Sequence, residues 1–161
     1  MRLLPLALLP TAAVALAFAP ACAGGIGLLP DQKLTPGAVA ETCTAGICVR
    51  GYERAHRVWH DKASTLAKYG IRQDQADLFE DDDLIPVCLG GDNASPLNHW
   101  PQAYDVAPGA ADKDVLERRI CIESCRLRDD HLLAKYQAAF AKDWVALWRE
   151  VMMTGTTVDN R

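Results

Sequence analysis

Two stretches of the chain, FEDDDLIPVCLGGDN at residues 79–93 and LNHWPQ at residues 97–102, contain the signals that decide the fold. Residues 78–85 form a short segment that begins and ends with apolar side chains, and a second short segment of extended character surrounds residues 97–100. The Gly-Gly-Asp-Asn sequence at residues 90–93 is typical of a loop. The two stretches therefore predict a β-hairpin with a long connection.

Helical patterns lie on both sides of this hairpin. Residues 52–69 have a mostly helical pattern that ends before Gly70, and residues 110–125 carry apolar side chains at helical spacing. A last helix begins near Asp129 and Asp130, and its apolar residues recur at spacings of three and four. These residues are Leu132, Leu133, Tyr136, Phe140, Trp144, Leu147, Trp148 and Val151. We expect them to form the core, and we predict a small, mainly helical α+β domain.

The N-terminus has the pattern of a signal peptide. Arg2 is followed by an almost uninterrupted apolar run over residues 3–21 and then by small residues. Prolines within this run disfavour a membrane helix. We therefore expect residues 1–23 to be removed and the protein to be exported, either to the periplasm or out of the cell. A lipid anchor at Cys22 is the alternative, but no Leu stands three residues before this cysteine.

The remaining chain has the size of a single domain. We divide it into an extended lead-in (residues 24–40), one domain (residues 41–152) and a flexible tail (residues 153–161). The whole chain has 17 basic and 21 acidic residues and a formal net charge of −4, so its overall charge does not indicate nucleic-acid binding. The sequence contains no glycine-rich phosphate loop, GxSxG motif or HExxH motif, which excludes the enzyme classes that need them.

The distribution of charge along the chain is uneven. Residues 49–72 hold six basic residues against two acidic ones, whereas residues 73–83 hold six acidic residues and no basic one. The basic segment offers cations for phosphate contacts and aromatic rings that can stack on a base. The candidates are Arg54, Arg57 and Lys62 for phosphates and Trp59 or Tyr52 for stacking. The alternative is an amphipathic helix whose charged side is simply solvated.

The cysteines of an exported chain predict disulfides. Cys121 and Cys125 are four residues apart and share one face of a predicted helix. We expect this face to pair with Cys43 and Cys48, which leaves Cys88 as an unpaired thiol. The alternative is a zinc site made by the same four cysteines, which an oxidising compartment disfavours.

The two stretches quoted first resemble the pattern YExDHLIPLxLGGxN followed by NLWPQ. This pattern is typical of small exported bacterial proteins with an HNH-like (ββα-metal) nuclease domain. Shorter similarities extend the resemblance from about residue 34 to residue 149; they lie at residues 34–39, 47–52, 68–70, 113–117 and 142–144. The resemblance implies a hairpin and a helix that hold one divalent metal ion and hydrolyse nucleic-acid phosphodiesters.

The resemblance also implies roles for individual residues. Asp82 matches the metal-ligating carboxylate of the family, and Asp114 matches a second ligand at the start of the following helix. Oxygen ligands of this kind favour Mg²⁺, with Mn²⁺ or Zn²⁺ as alternatives. Asn98 matches the central Asn, which in the family positions the histidine loop through hydrogen bonds to backbone.

One position departs from the family pattern. Asp83 stands where the family has its general-base histidine, and an exposed carboxylate with a pKa of about 4 is a poorer proton acceptor near neutrality than imidazole. His99 replaces the Leu of the NLW motif, and we expect His56, His60 and His131 to lie on helices away from the hairpin. The sequence therefore predicts no histidine where the motif needs one, and Asp83 becomes the candidate substitute base.

Three functional hypotheses follow from the sequence. The first is a metal-dependent HNH-like endonuclease that uses Asp83 as its base and is slow for that reason. The second is a catalytically inactive HNH-fold module for binding or interaction. The third is a disulfide-stabilised envelope protein with no role on nucleic acid.

Overall fold

The computed structural model describes residues 29–155 and has a mixed architecture of α-helices and one small antiparallel sheet. Its elements in chain order are α1 (Thr44–Ile47), α2 (Tyr52–His56), α3 (Lys62–Lys68), a 3-10 helix (Gln73–Leu78), β1 (Phe79–Asp83), a second 3-10 helix (Val87–Leu89), β2 (His99–Ala103), α4 (Ala110–Leu127) and α5 (Asp130–Thr154). The predicted signal peptide lies outside the described residues. The predicted tail (residues 153–161) begins within α5, and its residues 156–161 lie outside the described residues.

The predicted hairpin is confirmed. β1 and β2 pair antiparallel, and their register sets Phe79 opposite Ala103 and Asp83 opposite His99. Gly90 lies in the connection with a φ of 81°, and a Cβ built on it would lie 2.1 Å from the backbone oxygen of Glu41. Only glycine allows this approach, so the residues before α1 lie directly against the hairpin loop.

The predicted helices after the hairpin are also confirmed, and α4 and α5 pack on each other to form most of the core. Leu116 and Ile120 on α4 are fully buried, as are Tyr136 and Phe140 on α5. Asp129 begins α5, because its side chain accepts hydrogen bonds from the first backbone N–H groups of the helix. No helix within residues 29–155 has the length and apolar character that crossing a membrane requires.

The predicted mostly helical segment over residues 52–69 is wrong in its middle. Residues 57–61 are not helical and separate α2 from α3. Asp61 begins α3 by accepting a hydrogen bond from the N–H of Ala63 at 3.1 Å. The N–H of Val58 donates to Oδ1 of Asn93, so a contact with the distant hairpin loop holds the segment.

Disulfides join Cys48 to Cys125 and Cys88 to Cys121. The Cα separations of 5.3 and 5.8 Å are normal for such bonds. The predicted face of Cys121 and Cys125 is therefore confirmed, but the choice of partners was wrong in part. Cys43 is exposed and free, whereas Cys88 is bonded because the 3-10 helix that carries it packs against α4. These bonds occupy Cys48, Cys121 and Cys125, three of the four cysteines that the zinc alternative needs as ligands.

Candidate active site

A cleft of about 490 Å³ lies between the acidic strand β1 and the segment that joins α2 to α3. It gathers acidic, imidazole and basic side chains in one place. Its lining residues are Arg57, Val58, Trp59, His60, Glu80, Asp81, Asp82, Asp83, Asn93 and His99. The acidic run predicted as a functional segment thus faces part of the predicted basic segment.

Asp83 is largely buried at the base of the cleft, with a side chain that is 15% exposed. Its Oδ1 accepts a hydrogen bond from Nδ2 of Asn98 at 3.0 Å, and its Oδ2 accepts one from Nδ2 of Asn93 at 2.9 Å. Burial raises the pKa of the Asp83 carboxyl above its usual range, although His99 and Asn93 act in the opposite direction. The Asp83 carboxylate is therefore held in place by two amides.

His99 lies opposite Asp83 in the hairpin and brings an imidazole next to the carboxylates of Asp81 and Asp83. Its Nε2 donates to the backbone oxygen of Asn93 at 2.9 Å and lies 3.5 Å from Oδ1 of Asp83. Its Nδ1 lies 3.4 Å from Oδ1 of Asp81. Burial alone would lower the pKa of His99, but these surrounding oxygens raise it overall. Because both ring nitrogens face acceptors, the site favours the imidazolium form.

The backbone of His99 is fixed from the opposite side by Lys68 of α3. The Lys68 ammonium donates to the backbone oxygen of His99 at 2.6 Å, to that of Pro96 at 2.7 Å and to Oγ1 of Thr35 at 3.1 Å. Burial lowers the pKa of Lys68, and the charge of Asp81 opposes this effect. Three acceptors on separate segments thus hold the start of β2 next to α3.

His60 is a second imidazole in the cleft, and the prediction that it lies on a helix away from the hairpin was wrong. It belongs to the segment between α2 and α3, and its ring packs against that of His99, with 3.7 Å between the ring centres and an angle of 39° between the planes. Its Nε2 is buried and has no hydrogen-bond partner. A buried polar atom without a partner is uncommon and indicates a place for a water or ligand. No local sequence signal marks His60, because the fold of a distant loop brings it here.

Asn98 is fully buried and ties the two strands together beyond the end of β1. Its Oδ1 accepts from the N–H of Ile85 and its Nδ2 donates to the oxygen of Ile85, both at 2.9 Å. These are backbone hydrogen bonds of the kind that the resemblance implied. Asn98 therefore fixes the chain immediately after Asp83, and any part it has in catalysis stays a prediction.

Asp82, the predicted metal ligand, faces an internal cation. Its Oδ2 lies 2.7 Å from the ammonium of Lys113 on α4, and that ammonium also contacts Glu117. Burial alone would lower the pKa of Lys113, but the two carboxylates raise it overall. Burial also raises the pKa of Glu117, against the opposing effect of Lys113.

The arrangement around Asp82 does not fit a divalent ion as it stands, because an ammonium already occupies the space beside the carboxylate. Asp114, the second predicted ligand, is exposed on α4. Within the described part of the chain, no group of three or more His, Cys, Asp or Glu side chains converges on a common point that could hold a metal. The predicted metal site therefore stays a prediction.

The predicted nucleic-acid contacts separate in space. Arg57 lines the cleft with a side chain that is 69% exposed, whereas Arg54 lines a different cavity beside the disulfides. Lys62, at the start of α3, does not line the cleft. Trp59 does line it and is 84% exposed. An aromatic ring of this size is seldom so exposed in a folded protein, which makes Trp59 a candidate contact.

Comparisons with known proteins give no relative on which to base this site. No protein-family model matches the chain, no curated protein is significantly similar to it, and no solved structure matches its fold. The geometry of the cleft is therefore the basis for assigning a function.

Proposed function

We propose that this protein hydrolyses phosphodiester bonds of nucleic acid in the cleft beside β1, with His60 as the proton acceptor. The observation that carries the proposal is the pair of adjacent imidazoles in the cleft. The ring centres of His60 and His99 are 3.7 Å apart with the ring planes tilted by 39°, and the Nε2 of His60 has no partner. The cleft therefore contains two histidines, His60 and His99, although Asp83 stands where the resembled family has its general-base histidine.

The scaffold is consistent with the HNH-like resemblance, and we propose that relationship as part of the same hypothesis. An antiparallel hairpin is followed by α4, and Lys113 of α4 reaches Asp82 of β1 at 2.7 Å. Asn98 makes the backbone contacts that the family assigns to its central Asn. The two disulfides support the proposal of export, since such bonds persist in oxidising compartments.

The proposed chemistry divides the work between the two imidazoles. A water molecule attacks phosphorus while its proton moves to Nε2 of His60, and the leaving oxygen takes a proton from solvent. His99, whose ring nitrogens face Asp81, Asp83 and the Asn93 carbonyl, holds the neighbouring His60 ring in position. Arg57, which lines the cleft, stabilises the negative charge that develops on the phosphate oxygens. Asp83 is then a positioning residue for His99 rather than the base.

The segment that carries His60 also supplies the proposed contacts to nucleic acid. Arg57 lines the cleft and provides a cation for a phosphate. Trp59 provides an exposed ring on which an unpaired base can stack. This interpretation favours single-stranded or locally opened substrates, because a base inside a duplex does not offer its face.

Cleavage of plasmid DNA and of single-stranded RNA by the full chain tests the proposal. We expect His60→Gln to reduce the rate by about 10²–10⁴-fold, the usual effect of losing a general base, without a change in melting temperature. His131→Gln is the matched control, because His131 is exposed at the start of α5. Equal rates for wild type and His60→Gln would remove His60 from the mechanism.

A non-catalytic HNH-like binding module is the second candidate, and the state of Asp83 favours it. Both carboxylate oxygens of Asp83 are engaged by the amides of Asn93 and Asn98. A carboxylate whose two oxygens already accept hydrogen bonds is a poor base. The hydrogen bonds that hold the hairpin together do not require catalysis. Cleavage by Asp83→His together with none by wild type would establish this second candidate and reject the first.

A further inference from the structure

Lys113 is the most completely enclosed cation in the described part of the chain. Its side chain is 0% exposed. An ammonium has three N–H donors, and here each one meets an oxygen. Nζ lies 2.7 Å from Oδ2 of Asp82 and 2.6 Å from the backbone oxygen of Asp83, and it donates to Oε1 of Glu117.

The three oxygens around Nζ form the kind of set that binds a hard divalent cation. Two of them belong to carboxylates and one to a backbone carbonyl, which are the ligands that Mg²⁺, Mn²⁺ and Ca²⁺ use in proteins. Such an ion would lie about 2.0–2.6 Å from the same oxygens. That position overlaps the ammonium, which lies 2.6 Å from the Asp83 carbonyl. Lys113 and a metal ion therefore exclude each other.

The surrounding structure keeps Lys113 in this position. It projects from α4, which packs against α5, and its Nζ lies 5.8 Å from the centre of the Phe140 ring. Withdrawal of the ammonium would leave two partly buried carboxylates facing each other without a cation. Glu117 lies four residues further along α4, so the same helix positions both Lys113 and Glu117.

We infer that the Lys113 ammonium takes the place of a divalent ion beside β1, so that the protein carries a covalently attached cation at its hairpin. One consequence of the inference depends on the proposed function: if the protein cleaves nucleic acid, cleavage should persist when divalent ions are chelated. The assignment of the cation position stands on geometry and is tested by binding.

Titration of the full wild-type chain with Mn²⁺, followed by electron paramagnetic resonance and calorimetry, gives the first test. We expect no stoichiometric binding at millimolar Mn²⁺ and no rise in melting temperature. Binding of one ion that Asp82→Asn abolishes would overturn the inference. The wild-type titration itself needs no variant, and Asp82→Asn is made only if an ion binds.

The Lys113→Ala variant gives the second test, because it removes the ammonium and leaves the oxygens. We expect this variant to bind Mn²⁺ about tenfold or more tighter than wild type, an effect of the size that changes next to a metal ligand produce. Mn²⁺ should then raise its melting temperature by mass action. Adding Asp82→Asn should cancel both effects, and Lys142→Ala, an exposed lysine on α5, should behave as wild type.

The outcomes separate this inference from the proposed function. A folded Lys113→Ala that binds no Mn²⁺ overturns the inference whether or not the wild type cleaves nucleic acid. Absence of cleavage under every condition rejects the proposed function and leaves the metal titration unaffected. Cleavage by wild type that a chelator abolishes and Mn²⁺ restores would count against the inference alone.

Discussion

Adjacent carboxylates of β1 lie in two different environments. Around Asp82, the ammonium of Lys113 is 2.7 Å away and makes all of its hydrogen bonds. Around Asp81 and Asp83, His99 lies at 3.4 and 3.5 Å, distances longer than those of good hydrogen bonds. The first environment is a closed ion cluster, whereas the second is loosely paired.

Buried polar atoms that lack a good hydrogen bond show the same difference between the two environments. In the second environment Nε2 of His60 has no partner, and Oδ1 of Asp81 and Nδ1 of His99 meet each other only at 3.4 Å. Folded proteins satisfy nearly all such atoms, and exceptions call for a functional explanation or a bound water. The Asp82 side therefore stabilises the fold, while the side with His99 and His60 retains capacity to bind another group.

The largest expected effect is on the Asp82 side. Lys113→Met removes the ammonium but keeps most of the side-chain volume, and it leaves the carboxylates of Asp82 and Glu117 without a cation. We expect the free energy of unfolding to fall by about 3–5 kcal/mol, measured by urea denaturation. Lys142→Met should change it by less than about 0.5 kcal/mol. A loss below about 1 kcal/mol for Lys113→Met would contradict the assignment of a stabilising role to the Asp82 side.

A smaller and pH-dependent effect is expected at His99. Its folded-state pKa is raised above the unfolded value of about 6.5. The stability that protonated His99 contributes is therefore fully present below pH 6.5 and is lost as the pH rises through the folded-state pKa. The difference in unfolding free energy between wild type and His99→Gln should shrink over that range, while His131→Gln should show no such trend. A difference that grows with pH would mean that His99 is buried as the neutral imidazole.

The sequence predicted the elements whose signals are local. The presence of the hairpin, the loop at residues 90–93, and the helices α4 and α5 follow from apolar spacing, loop residues and helix-starting residues such as Asp129. The strand ends were less well predicted, since β2 covers His99–Ala103 rather than residues 97–100. Cys121 and Cys125 were correctly placed on one helical face for the same reason. The kink in α5 at Asp143, where φ is −165°, was not predicted because no proline or glycine marks it.

The parts of the site that escaped prediction depend on contacts between distant residues. The contact of His99 with Asp83 requires the exact hairpin register, which a long connection leaves open. His60 reaches the cleft because Val58 bonds to Asn93, 35 residues further along the chain. The burial of Lys113 was not predicted, because lysine is rarely buried and nothing in the sequence indicates that this side chain points inward.

The smallest expected change in stability is on the open side of the cleft, at Trp59. Because its ring is 84% exposed, Trp59→Ala should change the free energy of unfolding by less than about 0.5 kcal/mol. If a base stacks on the ring, the same substitution should weaken binding of single-stranded oligonucleotides by about 1–3 kcal/mol, measured by fluorescence anisotropy at fixed salt. Tyr104→Ala is the control, because Tyr104 is an exposed aromatic that does not line the cleft. Equal losses of affinity in both variants would indicate that aromatic exposure alone drives binding. A loss confined to Trp59→Ala would place the ligand in the cleft that also holds His60 and His99, and would assign the binding role to this side of β1.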